Sequence, residues 1–267
     1  MTERTDLEIR DLTVRFGGLT AVLDVSLRAN GGCVTGLIGP NGAGKTSTFN
    51  ATTGVVATTT GSVQLGGVRL DGLSPTARAQ KGLGRTFQRI ELFDTMTVLE
   101  NVAMGPEMLA AGRRAWRHLF APRAERADAD SRARAAVERC GVTAIAHRSA
   151  GELSTGQRRL VELARAMASP FTFLLLDEPS SGLDVRETEH FTELLRTIAK
   201  VDGTGILLVE HDMSLVRSVV EYAYVLDFGQ MIFDGPTADV LSSDLVQAAY
   251  LGSDAVEAAL GDAEINV

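Results

Sequence analysis

Long apolar runs are missing from this sequence of 267 residues. No stretch approaches the roughly 18 consecutive apolar residues of a membrane-spanning helix, and no charged-then-apolar signal segment opens the chain. Cysteine is scarce as well, because only Cys33 and Cys140 are present, far apart and without CxxC or paired-histidine spacing. We therefore expect a protein of the reducing cytosol in which cysteine has no metal or redox role.

Basic residues are also in deficit, with 26 against 34 acids and a net charge of −8. This balance argues against a nucleic-acid-binding protein. Lysine in particular occurs only at Lys45, Lys81 and Lys200. Lys45 stands inside a glycine-rich loop, where a compact ammonium fits among phosphate groups better than a planar guanidinium.

Hydrophobic residues make up 45% of the chain, enough for a sizeable core, and their pattern predicts one α/β domain with a large insertion. Residues 7–15 and 22–28 alternate apolar and polar side chains, as in two strands of an antiparallel sheet. Short apolar runs predict buried strands at 34–38, 173–176 and 205–209.

The predicted insertion is helical and rich in alanine and arginine from about residue 97 to 139. Pro106, Gly112 and Pro122 are predicted to divide it into pieces. Its arginines allow two interpretations. Acids are interspersed among them, as on a solvated helix face, but a surface near anionic lipid headgroups or a membrane partner has the same composition.

A phosphate-binding loop connects the strand at 34–38 to a helix that is predicted to begin near Lys45. Its residues fit the pattern G-x-x-x-x-G-K-[ST] and are Gly39, Pro40, Asn41, Gly42, Ala43, Gly44, Lys45 and Thr46. The glycines let backbone N–H groups surround phosphates, whose charge Lys45 neutralises. The Thr46 hydroxyl is a hard oxygen ligand for Mg²⁺, and Ser47 adds a hydroxyl for the phosphates.

Two acids, Asp177 and Glu178, end the apolar run that begins at residue 173. Carboxylates at the end of a buried strand are costly unless they are used, and ligands of parallel sheets bind at that end of the strands. We expect Asp177 to hold Mg²⁺ through water and Glu178 to polarise the attacking water. A helix-capping role is the alternative for one of the two acids.

The pentapeptide Leu153-Ser154-Thr155-Gly156-Gln157 predicts the start of another helix. Ser154 and Gln157 have the spacing of a capping box. A helix N-terminus presents unpaired N–H groups to an anion, and Gly156 lets a phosphate approach the backbone. An ordinary helix cap is the alternative.

Three further residues give weaker signals. Gln88 is a neutral donor and acceptor that suits Mg²⁺ and the attacking water, and His211, after the strand at 205–209, suits the γ-phosphate. Phe16 is the nearest aromatic in the N-terminal sheet that can stack on an adenine. The structural alternatives are an exposed glutamine, a structural histidine after a strand and a core phenylalanine.

Taken together and in this order, the motifs resemble those of the ATP-binding subunits of ABC transporters, over almost the whole chain. The resemblance identifies 39–46 as Walker A, Gln88 as the Q-loop, 153–157 as the signature, 173–178 as Walker B, 180–184 as the D-loop and His211 as the switch histidine. Thr155 stands where the family most often has glycine, while Ser154 and Gly156 are retained, so activity is expected.

The resemblance implies a P-loop NTPase core with a RecA-like mixed sheet, an N-terminal antiparallel β subdomain and an inserted α-helical subdomain. It places the ATPase domain at 1–252, with the insertion at about 89–170, and a short tail at 253–267. It also implies that two subunits close head to tail on ATP and Mg²⁺. Each signature, through Ser154, Gly156 and Gln157, then binds the nucleotide held by the opposite Walker A, and hydrolysis reopens the pair.

Further segments resemble the ATPases of branched-chain amino acid importers: Arg85-Thr86-Phe87-Gln88, Leu92-Phe93, Thr97 to Val102 and Ala249-Tyr250-Leu251-Gly252. This implies a peripheral protein on the cytoplasmic face of the membrane, bound to permease subunits and served indirectly by a solute-binding protein. None of these residues contacts the solute, and the pair is either two copies of the chain or the chain with a sister ATPase.

Three alternatives remain open. One is the ATPase of a lipid or lipopolysaccharide transport system. Another is a soluble ABC ATPase of translation or DNA repair, against which stand the single nucleotide domain, the acidic balance and the lack of a long coiled coil. The third, a regulatory module without turnover, is disfavoured by the retention of Lys45, Asp177, Glu178 and His211.

Overall fold

Two sheets and a set of helices make up the chain, of which the structure, a computed structural model, describes residues 5–86, 90–111 and 123–251. The strands in chain order are β1 (Leu7–Phe16), β2 (Leu19–Ala29), β3 (Val34–Ile38), β4 (Thr60–Leu65), β5 (Val68–Arg69), β6 (Leu83–Arg85), β7 (Phe173–Asp177), β8 (Gly205–Val209), β9 (Tyr222–Asp227) and β10 (Gln230–Pro236). The helices are α1 (Lys45–Thr53), α2 (Pro75–Gln80), α3 (Val98–Ala111), α4 (Arg123–Arg139), α5 (Thr155–Ala168), α6 (Val185–Lys200), α7 (Met213–Val219) and α8 (Thr237–Ser242), and residues 244–251 are helical as well.

The N-terminal strands form a four-stranded antiparallel sheet in the order β2-β1-β4-β5. This confirms the strand pair that the alternation at 7–15 and 22–28 predicts. The inward-facing side chains of β1, among them Leu7, Ile9 and Leu12, are fully buried. The sheet therefore covers one side of the protein core, and the turn between β1 and β2 carries Phe16 to the edge of the site described below.

The central sheet has six strands in the order β10-β9-β3-β8-β7-β6, all parallel except β10. Every residue of β3, β7 and β8 is buried, which explains why these strands are mostly apolar and do not alternate regularly between apolar and polar residues. The carboxyl ends of parallel strands meet at one edge, so the loop after β3 and the acids after β7 and β8 lie together. The mixed α/β architecture expected from the sequence is confirmed.

The insertion is built from α3, α4 and α5, which pack on one another. The predicted break at Pro106 is wrong, because α3 continues through it. A Cβ on the neighbouring Gly105 would collide with the carbonyl oxygen of Arg165 in α5. This close helix contact supplies packing energy that offsets the helix-breaking effect of proline. The predicted breaks at 112 and 122 lie outside the described residues.

Two arginines of α4 pair with acids. Arg132 bonds Asp128 one turn earlier, and Arg139 bonds Asp202 at the end of α6. These contacts are those of a solvated helix face. In the described part of the chain, no helix is both long enough and apolar enough to cross a bilayer. The expected tail at 253–267 lies outside the described residues.

Candidate nucleotide-binding site

The phosphate loop runs from the end of β3 to the start of α1, as predicted. Lys45, the first residue of α1, is buried, and its Nζ donates hydrogen bonds to the carbonyl oxygens of Gly39, at 2.6 Å, and Pro40, at 2.8 Å. The ammonium therefore folds back over its own loop. Burial lowers the pKa of Lys45, and the charges of Glu178 and Asp177 oppose this.

Two loop positions require glycine for steric reasons. A Cβ on Gly39 would collide with the carbonyl oxygen of Leu226, and one on Gly44 would lie 2.7 Å from the carbonyl oxygen of Ala21. Both glycines have positive φ, 145° and 100°. The loop is therefore wedged between β9 and β2, which fixes its backbone N–H groups before any ligand binds.

A cavity of about 510 Å³ opens above the loop, a size within the range of about 300–1,000 Å³ for small-molecule sites. Its lining residues are Phe16, Leu19, Thr20, Ala21, Asn41, Gly42, Ala43, Gly44, Lys45, Thr46, Ser47, Glu178 and Phe228. The cavity thus brings together most of the predicted loop with Phe16 and Glu178. Phe228 was not anticipated; it is 88% exposed and has an unusual positive φ of 43° in the turn between β9 and β10.

Asp177, the last residue of β7, is buried beside a cation. Arg85 of β6 places Nη2 3.2 Å from Asp177 Oδ2, and its Nη1 bonds Asn50 Oδ1 in α1. Burial raises the pKa of Asp177, while Arg85 counteracts this. Arg85 therefore links the Walker B acid to the helix that follows the phosphate loop.

Glu178 follows in a left-handed conformation, with φ of 48°. Its N–H donates to the carbonyl oxygen of Val209 in β8, at 2.9 Å. A non-glycine residue in this region carries strain that the surrounding hydrogen bonds sustain, and such strain is concentrated at functional sites. The turn directs Glu178 to the cavity wall, whereas Asp177 stays buried in the sheet.

His211 lies beside Glu178, because its Nδ1 is 3.6 Å from Glu178 Oε1. Its side chain is 62% exposed and so accessible to a ligand. The preceding residue, Glu210, is fully buried and accepts hydrogen bonds from the N–H groups of Ser180, at 2.9 Å, and His211, at 3.2 Å. Glu210 therefore braces the D-loop and the switch histidine against one another.

The signature forms the predicted capping box at the start of α5. The N–H of Gln157 donates to Ser154 Oγ, and the N–H of Ser154 donates to Gln157 Oε1, both at 3.2 Å. Gly156 is buried, and a Cβ there would collide with the carboxylate of Glu187 in α6. A larger residue at this position would therefore have to displace the Glu187 carboxylate.

Thr155 also has a structural role. Its Cγ2 lies 2.8 Å from the position that a Cβ on Gly182 would take, and Gly182 has a φ of 83° in the D-loop turn. That loop ends at Asp184, which starts α6 with a second capping box, completed by Glu187. The signature and the D-loop are therefore in direct contact within one subunit.

The signature does not reach the cavity. Among the described residues that line it, Ser154, Gly156 and Gln157 are absent. The predicted Gln88 lies outside the described residues. The structure therefore joins Walker A, Glu178, His211 and Phe16 at one place and leaves the signature at another.

The available oxygen ligands fit Mg²⁺. In the described ranges no cluster of three or more His, Cys, Asp and Glu side chains is arranged to hold a metal by itself. Mg²⁺ does not need such a cluster, because it binds through one or two carboxylates together with phosphate oxygens and water. Thr46 lines the cavity, and Asp177 is close enough to Lys45 and Glu178 for their charges to affect its pKa.

Three residues of the site escaped the sequence reasoning. Glu210, like Asp177 and Glu178, follows an apolar strand, so the same argument would have found it. Arg85 stands in a segment that was noted only for its resemblance. Phe228 gave no signal except an aromatic side chain before a turn glycine.

A family model described as ABC transporter matches residues 22–181. BraF of Pseudomonas aeruginosa, a high-affinity branched-chain amino acid transport ATP-binding protein, is 38% identical over 256 residues, or 93% of this chain and 98% of BraF. LptB of Escherichia coli K12, a lipopolysaccharide export system ATP-binding protein, is 33% identical over 254 residues, or 93% of this chain and 98% of LptB.

Solved structures agree with the sequence relatives. The ADP conformation of MJ1267, an ATP-binding cassette of an ABC transporter, has a TM-score of 0.82 at 29% identity and covers 94% of this chain and 100% of its own. The fold of the chain is therefore that of a known ATP-binding cassette.

Proposed function

The chain belongs to the ABC transporter family as one of its ATP-hydrolysing subunits, and from this premise we propose that it drives the import of branched-chain amino acids or a related small solute. BraF, named for branched-chain amino acid transport, supports this solute class with 38% identity over 93% of the chain. The observation that carries the ATPase role is the cavity that Lys45, Thr46 and Glu178 line together.

Each site residue then has a role. The phosphate loop at 39–46 holds the nucleotide phosphates through Lys45 and through the backbone N–H groups that follow Pro40, Ser47 adds a hydroxyl, and Phe16 stacks on the adenine. Glu178 orients and polarises the attacking water, with His211 at the γ-phosphate and Gln88 at the water. Thr46, Gln88 and, through water, Asp177 would hold Mg²⁺, which would supply positive charge beside the phosphates.

Two ATPase subunits share each site. The signature lies outside the cavity, and its Ser154 side chain is exposed at a helix N-terminus. Such a terminus suits an anion that arrives on another molecule. A second ATPase, identical or a sister chain, therefore supplies Ser154, Gly156 and Gln157 to the γ-phosphate, and ATP closes the pair.

Permease subunits dock in a groove of about 390 Å³ between the central sheet and the helical insertion. Its lining includes Arg78 of α2, Thr86 after β6, and Arg165 of α5. Glu91, just after the Q-loop, is bonded to α5, because its N–H donates to Glu162 Oε1 at 3.0 Å and its carbonyl accepts from Arg165 Nη1 at 2.6 Å. A permease that moves the Q-loop thereby moves the signature helix.

This arrangement makes the protein peripheral on the cytoplasmic face of the membrane. Residues 1–252 then form the ATPase domain, with the docking insertion at about 89–170. A solute-binding protein takes part only through the permease.

The test is reconstitution of the ATPase with its native permease and solute-binding partners in lipid vesicles. ATP-dependent uptake of radiolabelled leucine is expected, and the Glu178→Gln complex is the control, because it retains the subunits but not hydrolysis. Turnover that releases lipid or lipopolysaccharide without solute uptake would instead support the function named for LptB. An ATPase that binds no permease would support the soluble alternative.

A further inference from the structure

The last helical residues of the described chain reach back to the phosphate loop. In the stretch 244–251, Val246 is buried in the core and Tyr250 packs against the same core cluster. The Tyr250 hydroxyl accepts a hydrogen bond from the N–H of Gly39 at 2.8 Å. The two residues are 211 positions apart in the sequence, so a contact at the end of the domain bears on the first residue of the nucleotide site.

Gly39 is held from three sides. Its N–H is bonded to Tyr250, its carbonyl oxygen accepts from Lys45 Nζ, and its Cα faces the carbonyl oxygen of Leu226 so closely that no side chain fits. One residue, Gly39, therefore connects the Tyr250 hydroxyl to the resting position of the lysine. A shift of Gly39 changes where Lys45 lies before the nucleotide arrives.

The Tyr250 hydroxyl keeps one protonation state at physiological pH. Burial raises the pKa of Tyr250 to about 12, so the hydroxyl stays neutral at physiological pH. Gly39 is buried, and the next residue, Pro40, has no N–H of its own. Without the hydroxyl, the Gly39 N–H loses this acceptor in a buried place, which is unfavourable for the present loop conformation.

We propose that Tyr250 is a positioning residue for nucleotide binding: its hydroxyl fixes Gly39, and through Gly39 the phosphate loop and Lys45, in the arrangement that accepts the nucleotide phosphates. The proposal rests on the proposed phosphate-binding role of 39–46. Tyr250 touches no reacting atom, so it sets the fraction of molecules ready to bind and not the rate of the chemical step.

The first test is Tyr250→Phe, which removes only the hydroxyl. Loss of the hydrogen bond to Gly39 shifts the equilibrium away from the binding-competent loop conformation about fivefold, which weakens ATP binding and raises KM by up to that factor while kcat at saturating ATP is unchanged. The matched control is Tyr224→Phe, because the Tyr224 hydroxyl likewise accepts from a backbone N–H, that of Arg28 at 3.1 Å, but away from the loop. The control should bind ATP normally.

Three kinetic outcomes overturn the proposal: unchanged ATP affinity in Tyr250→Phe, an equal loss in Tyr224→Phe, or a fall in kcat without a rise in KM. Lys45→Ala separates this inference from the function on which it depends. Unchanged ATP affinity in Lys45→Ala would refute the phosphate-loop role itself, whereas a loss there with normal Tyr250→Phe would refute only the role of Tyr250.

The second test does not depend on nucleotide binding, because it is made on the nucleotide-free protein. Ile38-Gly39 is the only Ile–Gly sequence in the chain, so labelling with ¹³C-carbonyl isoleucine and ¹⁵N-glycine selects one amide by NMR. The Gly39 amide of the nucleotide-free protein should be protected from hydrogen exchange and should lose this protection in Tyr250→Phe. An amide that exchanges freely in the unaltered protein would overturn the proposal even if the variant did not fold.

Discussion

Replacing Arg85 by methionine should destabilise the fold, because it leaves Asp177 buried without its nearest opposite charge. The two side chains are 3.2 Å apart and only 8% and 2% exposed. Removing one partner of a buried ion pair costs about 3–5 kcal/mol. Because the charge of Lys45 still lowers the pKa of Asp177, we expect the free energy of unfolding to fall by about 3 kcal/mol, near the lower end of this range.

The loss should depend on pH in a defined direction. Burial already raises the pKa of Asp177, and Arg85 counteracts this. Without Arg85 the folded-state pKa rises further above its unfolded value of about 4. Stability of the variant is therefore best preserved below that unfolded value and falls as the pH rises through the folded-state pKa, because the charged carboxylate is then buried uncompensated.

The assay is reversible urea unfolding of the nucleotide-free protein between acidic and neutral pH. Arg132→Met is the control, since Arg132 and Asp128 form an exposed pair, 45% and 64% exposed, worth less than about 1 kcal/mol. The double variant Arg85→Met with Asp177→Asn should recover part of the loss, because it removes the uncompensated charge. If Arg85→Met cost no more than Arg132→Met at neutral pH, the reasoning would be refuted.

Three further outcomes are expected. Glu178→Gln should bind ATP but lose most hydrolysis and accumulate a closed dimer, measured by phosphate release and light scattering; full turnover would remove Glu178 from its role at the water. Mixing Ser154→Arg subunits with Lys45→Ala subunits should restore part of the ATPase activity, because one of the two shared sites is then intact, and no recovery would count against shared sites. Gly182→Ala should lower the free energy of unfolding by about 1–3 kcal/mol, because alanine is strained at a φ of 83° and its Cβ approaches Thr155. Adding Thr155→Gly should recover only the part of this loss that comes from the steric contact.

Elements with a strong local pattern could be predicted from the sequence. The buried strands β3 and β8 have the predicted bounds, because an apolar run bounded by glycine or polar residues is a local signal. The capping box of α5 was predicted for the same reason, since Ser154 and Gln157 contact each other within one turn. Most of the candidate site follows from such elements, because it is formed where strands and helices end.

Contacts between distant segments could not be predicted. Nothing near Arg85 in the sequence indicates a partner 92 positions away, and nothing near Tyr250 indicates Gly39. The continuation of α3 through Pro106 likewise depends on its packing against α5. In each case tertiary packing, and not local propensity, determines the structure.

Besides its proposed role as an anion site for a partner subunit, the signature has contacts within its own chain. Thr155 contacts the D-loop at Gly182, and Gly156 contacts Glu187 in the first turn of the next helix. The D-loop is in turn bonded through the N–H of Ser180 to Glu210, which also holds the backbone of His211 beside Glu178. The surface that we propose to meet the partner's nucleotide is thus in continuous contact with the residues proposed to act on the chain's own nucleotide. A contact path alone does not establish coupling, and mixed dimers that carry Thr155→Gly in one subunit test it. The substitution should change the hydrolysis rate at that subunit's own site as well as at its partner's site.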